Sequence, residues 1–127
     1  MNADTSFWIA MMELLASRPL VIDRPKGSRH PHYEDMIYPF DYGYLADTTS
    51  GDGGGIDVWL GSLTMKEKDN PRTLTGILCT FDTLKRDAEI KLLVDCSRED
   101  IQTIRNFHEG MQTLYIPNTR VRYGISG

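Results

Sequence analysis

Cysteine is scarce in this chain: the sequence holds two, Cys79 and Cys96. A pair is too few for the disulfide framework of a small secreted domain, although a bridge between the two stays open. Each lies in an apolar, strand-like segment, and both read as buried free thiols. Long hydrophobic runs are also missing. None approaches the ~20 residues needed to cross a bilayer, so no membrane partner is expected. Basic residues are not in excess, with 14 Lys and Arg against 18 Asp and Glu and a net charge of -4. That balance argues against non-specific nucleic-acid binding, which needs cations to neutralise a phosphate backbone. The opening MNADTSFW carries an acid where a secretory leader has a basic stretch, so a cytoplasmic protein is expected. Internal repeats are absent. Histidines are few as well, and His30 and His32 flank a proline without acid or Cys partners, a weak zinc pattern. His108 reads as a solvated residue off the apolar face of a helix.

What is present suits a single domain spanning residues 1–127, with 40% hydrophobic and 25% charged residues. Thr5 to Ser17 reads as a helix capped by Thr5 or Ser6, with Phe7, Met11, Leu14 and Leu15 at helical spacing and Pro19 as its stop. Trp8 and Met12 widen its apolar arc, which predicts burial on two sides and self-association into a homo-oligomer. Leu20 to Arg24, Tyr42 to Leu45, Ile56 to Gly61, Leu74 to Phe81 and Ile90 to Val94 read as strands. Lys66 to Arg72 reads as a polar surface turn. Ser97-Arg98-Glu99-Asp100 opens a second helix as a capping box with the shorter acid at its far end. Ile101, Ile104, Phe107 and Met111 form that helix's apolar face, and Tyr115 to Tyr123 supplies a last strand or tail. The expected class is α+β, mainly β: a small closed or semi-closed barrel of the OB type, with the C-terminal helix packed on it and an extra N-terminal helix.

The segment from Tyr38 to Leu60, YPFDYGYLADTTSGDGGGIDVWL, carries the most chemistry. Tyr38 and Tyr42 precede a glycine-rich turn bounded by Asp52 and Asp57. Glycine leaves the backbone free to turn tightly, so two carboxylates can converge on one point. A hard divalent cation suits such a pair, and phenolic hydroxyls suit phosphate oxygens. The plain alternative is an acidic hairpin loop. A second mixed-charge stretch, Asp82 to Lys91, adds Asp82, Asp87 and Glu89 beside Lys85, Arg86 and Lys91. Alone it reads as a solvated turn; joined to Asp52 and Asp57 it offers carboxylates for two metals.

YPFDYGYL, the turn with Asp52 and Asp57, and the VWL that follows resemble the soluble inorganic pyrophosphatase family, with its Tyr-Pro-x-Asn-Tyr-Gly-Tyr segment and Asp-Gly-Asp-Pro-x-Asp-Val turn. IDRPKGSRHPHYE and DTLKRDAEIKLL are similar to the family's flanking motifs, so the likeness runs from about Val21 to Val94, with a weaker echo after Ser97. The resemblance implies that Asp52, Asp57, Asp82 and Asp87 bind metal. It implies that Tyr38 and Tyr42 face phosphate, and that Asp23 stands where the family has a glutamate. Lys91 matches the phosphate-binding lysine if two residues are inserted after Ala88; without a gap the match is Glu89. The turn's middle aspartate, the family's water-activating base, falls on Gly54. The hairpin bearing a phosphate-binding arginine is deleted between Glu34 and Ile37, which leaves Lys26, Arg29 or His32 to supply positive charge.

The function so implied is Mg²⁺-dependent hydrolysis of inorganic diphosphate to two phosphates, with Mn²⁺ as a substitute metal. Asp52, Asp57, Tyr42 and Lys91 would act in catalysis, and Lys26, Arg29, His32, Tyr38, Tyr42 and Lys91 would bind a small anionic phosphate substrate. Loss of a positioned base at Gly54 slows such a reaction by ~10²–10⁴-fold. The alternative is a non-catalytic phosphate- or nucleotide-binding module on the same scaffold.

Overall fold

The computed structural model describes residues 2–64 and 72–120. Its elements are α1 (Ala3–Ser17), β1 (Leu20–Arg24), β2 (Asp41–Leu45), β3 (Asp57–Leu60), β4 (Leu74–Asp82), β5 (Asp87–Val94), α2 (Arg98–Phe107) and β6 (Gln112–Pro117). The strands form one six-stranded sheet in the order β1-β2-β3-β5-β4-β6, antiparallel except where β3 runs parallel to β5. Buried strands of this kind read as continuous apolar runs, because both faces are covered. Val58 and Trp59 of β3 and Lys91 to Val94 of β5 are all buried.

The two helices cover opposite faces. Trp8 and Leu15 of α1 meet Leu45, Val58, Ile77, Leu92 and Val94 on one face. Ile101 and Ile104 of α2 meet Trp59, Leu78 and Leu93 on the other, with Tyr38 and Cys96. Period-two alternation along each strand sorts the side chains between these cores. The α1 cap is Asn2, whose side chain accepts the Thr5 N–H, so the helix begins ahead of the expected Thr5. The second cap is the one read from sequence: Ser97 Oγ accepts the Asp100 N–H at 3.0 Å and Asp100 Oδ2 accepts the Ser97 N–H at 2.9 Å. Asp100 Oδ2 also accepts both the N–H and the hydroxyl of Ser62, tying α2 to the end of β3.

Three expectations need correction. The sheet does not close into a barrel: β1 and β6 are its two edges and do not pair with each other. The α+β, mainly β class stands. β5 begins at Asp87 rather than Ile90, because a tight turn with Arg86 at positive φ lets Asp82 pair with Asp87. Cys79 is half-buried, not buried, although both cysteines are free. Most of the expected turn from Lys66, and the end of the expected strand to Tyr123, lie outside the described residues.

Gly43 is required by packing. A Cβ there would lie 1.8 Å from the Val21 carbonyl oxygen, where β1 crosses β2 beside a bulge at Ile22 and Arg24. The glycine of YPFDYGYL therefore seats the two tyrosines on the sheet.

Candidate functional site

Lys91 lies at the centre of the face covered by α2. Alternation puts Glu89, Lys91 and Leu93 of β5 on that face, and register sets Asp57 of β3 opposite Lys91. On β2, Tyr42 pairs with Trp59 and so points the same way. The Lys91 ammonium donates to the Tyr42 hydroxyl at 2.7 Å, to Asp57 Oδ2 at 3.1 Å and to Glu89 Oε2 at 3.0 Å. Three donor hydrogens meet three oxygens, which saturates the ammonium. Its side chain is 6% exposed while the two carboxylates keep about a quarter of theirs. Burial alone would lower the Lys91 pKa, but the Tyr42 oxygen, Asp57 and Glu89 outweigh it and hold the pKa above its ordinary value. Burial raises the Tyr42 hydroxyl, so it stays protonated.

Lys91 and Tyr42 of this cluster line a cavity of about 550 Å³, while Asp57 and Glu89 line a neighbouring one of about 650 Å³. Lys91, Tyr38, Tyr42, Trp59 and His108 are the buried side of the first, while Tyr33, Leu84, Lys85 and His32 stand exposed at its mouth. His108 is not solvated as expected. It is 8% exposed, and its Nε2 accepts the Trp59 indole N–H at 3.3 Å, which puts the imidazole proton on Nδ1. Burial, and then the Lys91 charge, depress its pKa to about 4, so the ring is neutral. His30 is also depressed, by burial and then by the charges of His32, Arg24 and Lys85.

The glycine turn sits at the edge of this cluster. Gly53 has φ of 89°, the one positive φ among the turn glycines. Asp52 is fully exposed and folds back on its own loop, accepting from Ser50 Oγ and from the Gly54 N–H. Those two bonds hold its carboxyl below the usual range. Asp52 is thus bonded to its own loop, whereas Asp57 is paired with Lys91.

The remaining predicted site residues fall in different places. Asp82 lines the cavity but spends one oxygen on the N–H groups of Leu84 and Lys85. Asp87 is exposed at the start of β5. The Lys26 ammonium lies over the Phe40 ring, and Arg29 donates to the Glu34 carbonyl, so neither lines the cavity. His32 does line it. His108 was missed as a site residue; it carries no local signal in the sequence. Burial raises the Tyr38 hydroxyl and the Arg24 charge opposes that rise, although Arg24 does not line the cavity.

The oxygen donors suit Mg²⁺ or Mn²⁺ in type but not in arrangement. Among the described residues, no group of three or more His, Cys, Asp or Glu could hold a metal ion. Asp57 and Glu89 both already bond to Lys91. The chemistry below is therefore written for the chain's own groups. No helix among the described residues is long and apolar enough to cross a membrane. Comparison with models of known protein families and with curated proteins gives no match.

Proposed function

We propose that this protein hydrolyses a phosphoanhydride, with inorganic diphosphate as its simplest substrate. The observation that carries the reading is the Lys91 ammonium, held among Tyr42, Asp57 and Glu89 on the buried side of an open cavity. A diphosphate is strongly anionic, so attack by water needs charge neutralisation and a fixed phosphorus. Lys91 would supply the charge, and Tyr42 and Tyr38 would donate to phosphate oxygens. Asp57 or Glu89 would take the proton from water as its oxygen bonds to phosphorus, and the bridging P–O bond breaks as the second phosphate leaves. Anion binding would draw the Lys91 ammonium toward the substrate and release one carboxylate for that task. The resemblance to soluble pyrophosphatases points to the same substrate, to Mg²⁺ dependence and to a cytoplasmic homo-oligomer. Phe7, 45% exposed on α1, offers a surface for self-association, which light scattering would reveal as a mass above that of one chain.

Phosphate release from diphosphate, with and without Mg²⁺, tests the reaction against the Asp57→Asn variant. Release that falls to background in the variant supports it. No release above the variant from the native chain overturns it and favours the non-catalytic phosphate-binding module. That second reading rests on Gly54, which has no side chain to activate water, and on Asp52, bound to its own loop.

A further inference from the structure

The cavity beside Lys91 is much larger and more apolar than a bare diphosphate requires. At about 550 Å³ it falls within the roughly 300–1,000 Å³ of small-molecule sites. Inorganic diphosphate would leave most of that space to water, and a site built for it alone would be walled by cations and hydrogen-bond donors. Here Lys91 and Tyr42 form one polar group, which suits the phosphates. Tyr33, Met36, Leu84, Phe107 and Met111 supply an apolar part of the wall, beside His30, His32, Asp82 and Lys85. Rings and thioethers of this kind favour a planar organic group, through face contact and sulfur–aromatic contact.

Exposure points the same way. Leu84 is 93% exposed and Tyr33 57% exposed, both at the mouth of this cavity. A leucine in a tight turn between two charged residues, Asp82 and Lys85, gains nothing for folding by standing in water. Tyr33 is held at the mouth by His30, whose ring centroid is 5.0 Å from its own. His30 in turn lies parallel to Tyr38, at 6.1 Å and 2°. A row of flat rings thus runs from the mouth to the buried tyrosines.

We propose that the cavity takes a nucleoside di- or triphosphate, its phosphates beside Lys91 and Tyr42 and its base against the aromatic and apolar wall toward Tyr33 and Leu84. This names the substrate class for the phosphoanhydride reading and rests on that reading for the position of the phosphates. The base supplies apolar burial that a bare phosphate lacks, so it should raise affinity at least tenfold.

Calorimetric titration of the full chain with ATP, GTP, CTP, inorganic diphosphate and ribose 5-phosphate tests the proposal, with phosphate release measured on the same samples. The expected result is at least tenfold tighter binding of one or more nucleotides than of diphosphate or the base-free sugar phosphate. Leu84→Ser and Tyr33→Ser, each exposed and checked for folding by circular dichroism, should weaken nucleotide binding about threefold to tenfold and leave diphosphate binding unchanged. Diphosphate binding as tight as every nucleotide overturns the proposal, as does nucleotide binding that neither variant changes. Release from diphosphate without nucleotide preference overturns it while sparing the hydrolase reading. Selective nucleotide binding without release supports it and sinks the hydrolase reading instead.

Discussion

Lys91 and Tyr42 meet at 2.7 Å across 49 residues of chain, a buried ammonium donating to a phenol that stays protonated. The contact requires β5 to insert beside β3 and β2 to lie on the far side of β3. It joins the tyrosine segment and the mixed-charge turn into one site.

Replacing Lys91 with Met should lower stability by about 3 kcal/mol, the low end for breaking a buried ion pair, since Asp57 and Glu89 retain some solvent. Urea unfolding measures this. Asp57→Asn in the Lys91→Met background should recover part of the loss, because one unpaired carboxylate is removed. A double variant no more stable than Lys91→Met would show that the carboxylates are not what the ammonium compensates.

Gly54→Asp restores a carboxylate where the pyrophosphatase-like turn has its base. A Cβ at Gly54 meets Asp52 Oδ1 at 3.3 Å and no backbone atom, so the change is admissible sterically. Phosphate release from diphosphate should rise by about 10²-fold, the low end of what a positioned base contributes. An unchanged rate would mean that the turn takes no part in activating water.

Gly43→Ala should destabilise the protein by about 3 kcal/mol or more, since its Cβ would collide with backbone rather than with a movable side chain. Thermal unfolding reads this directly. A change below 1 kcal/mol, roughly the glycine-to-alanine background, would mean that β1 and β2 can separate without loss.

His108 makes stability depend on pH. Its folded-state pKa of about 4 lies below the ordinary 6.5, so between these values the unfolded chain binds a proton that the folded chain refuses. Stability should therefore fall as pH drops from about 6.5 to 4, by about 3 kcal/mol in all from this group, and should not change from this source above pH 7. In His108→Gln, which can still accept the Trp59 N–H, that part of the slope should vanish. Equal slopes in the two proteins would place the pH dependence elsewhere.

Local rules carried much of the fold. Leu20 to Arg24 is a strand with the bounds read from its β-branched core and flanking prolines. The Ser97 and Asp100 box opens α2 because each half of it is a contact within one turn. Tyr42, Asp57 and Lys91 were each picked out as reactive side chains. Backbone preference, capping and alternation depend on neighbours in the chain, so they can be read along it.

Pairing over distance cannot be read that way, because any strand edge can accept another and the choice depends on all of them together. β1 and β6 ended at opposite edges of the sheet, which left it open instead of closed. The same arrangement buried His108 against Trp59, set Lys91 between Asp57 and Glu89, and left Asp52 out on its loop. Residue types announced the chemistry available; only the packed sheet decided which charges neutralise one another and which face the cavity.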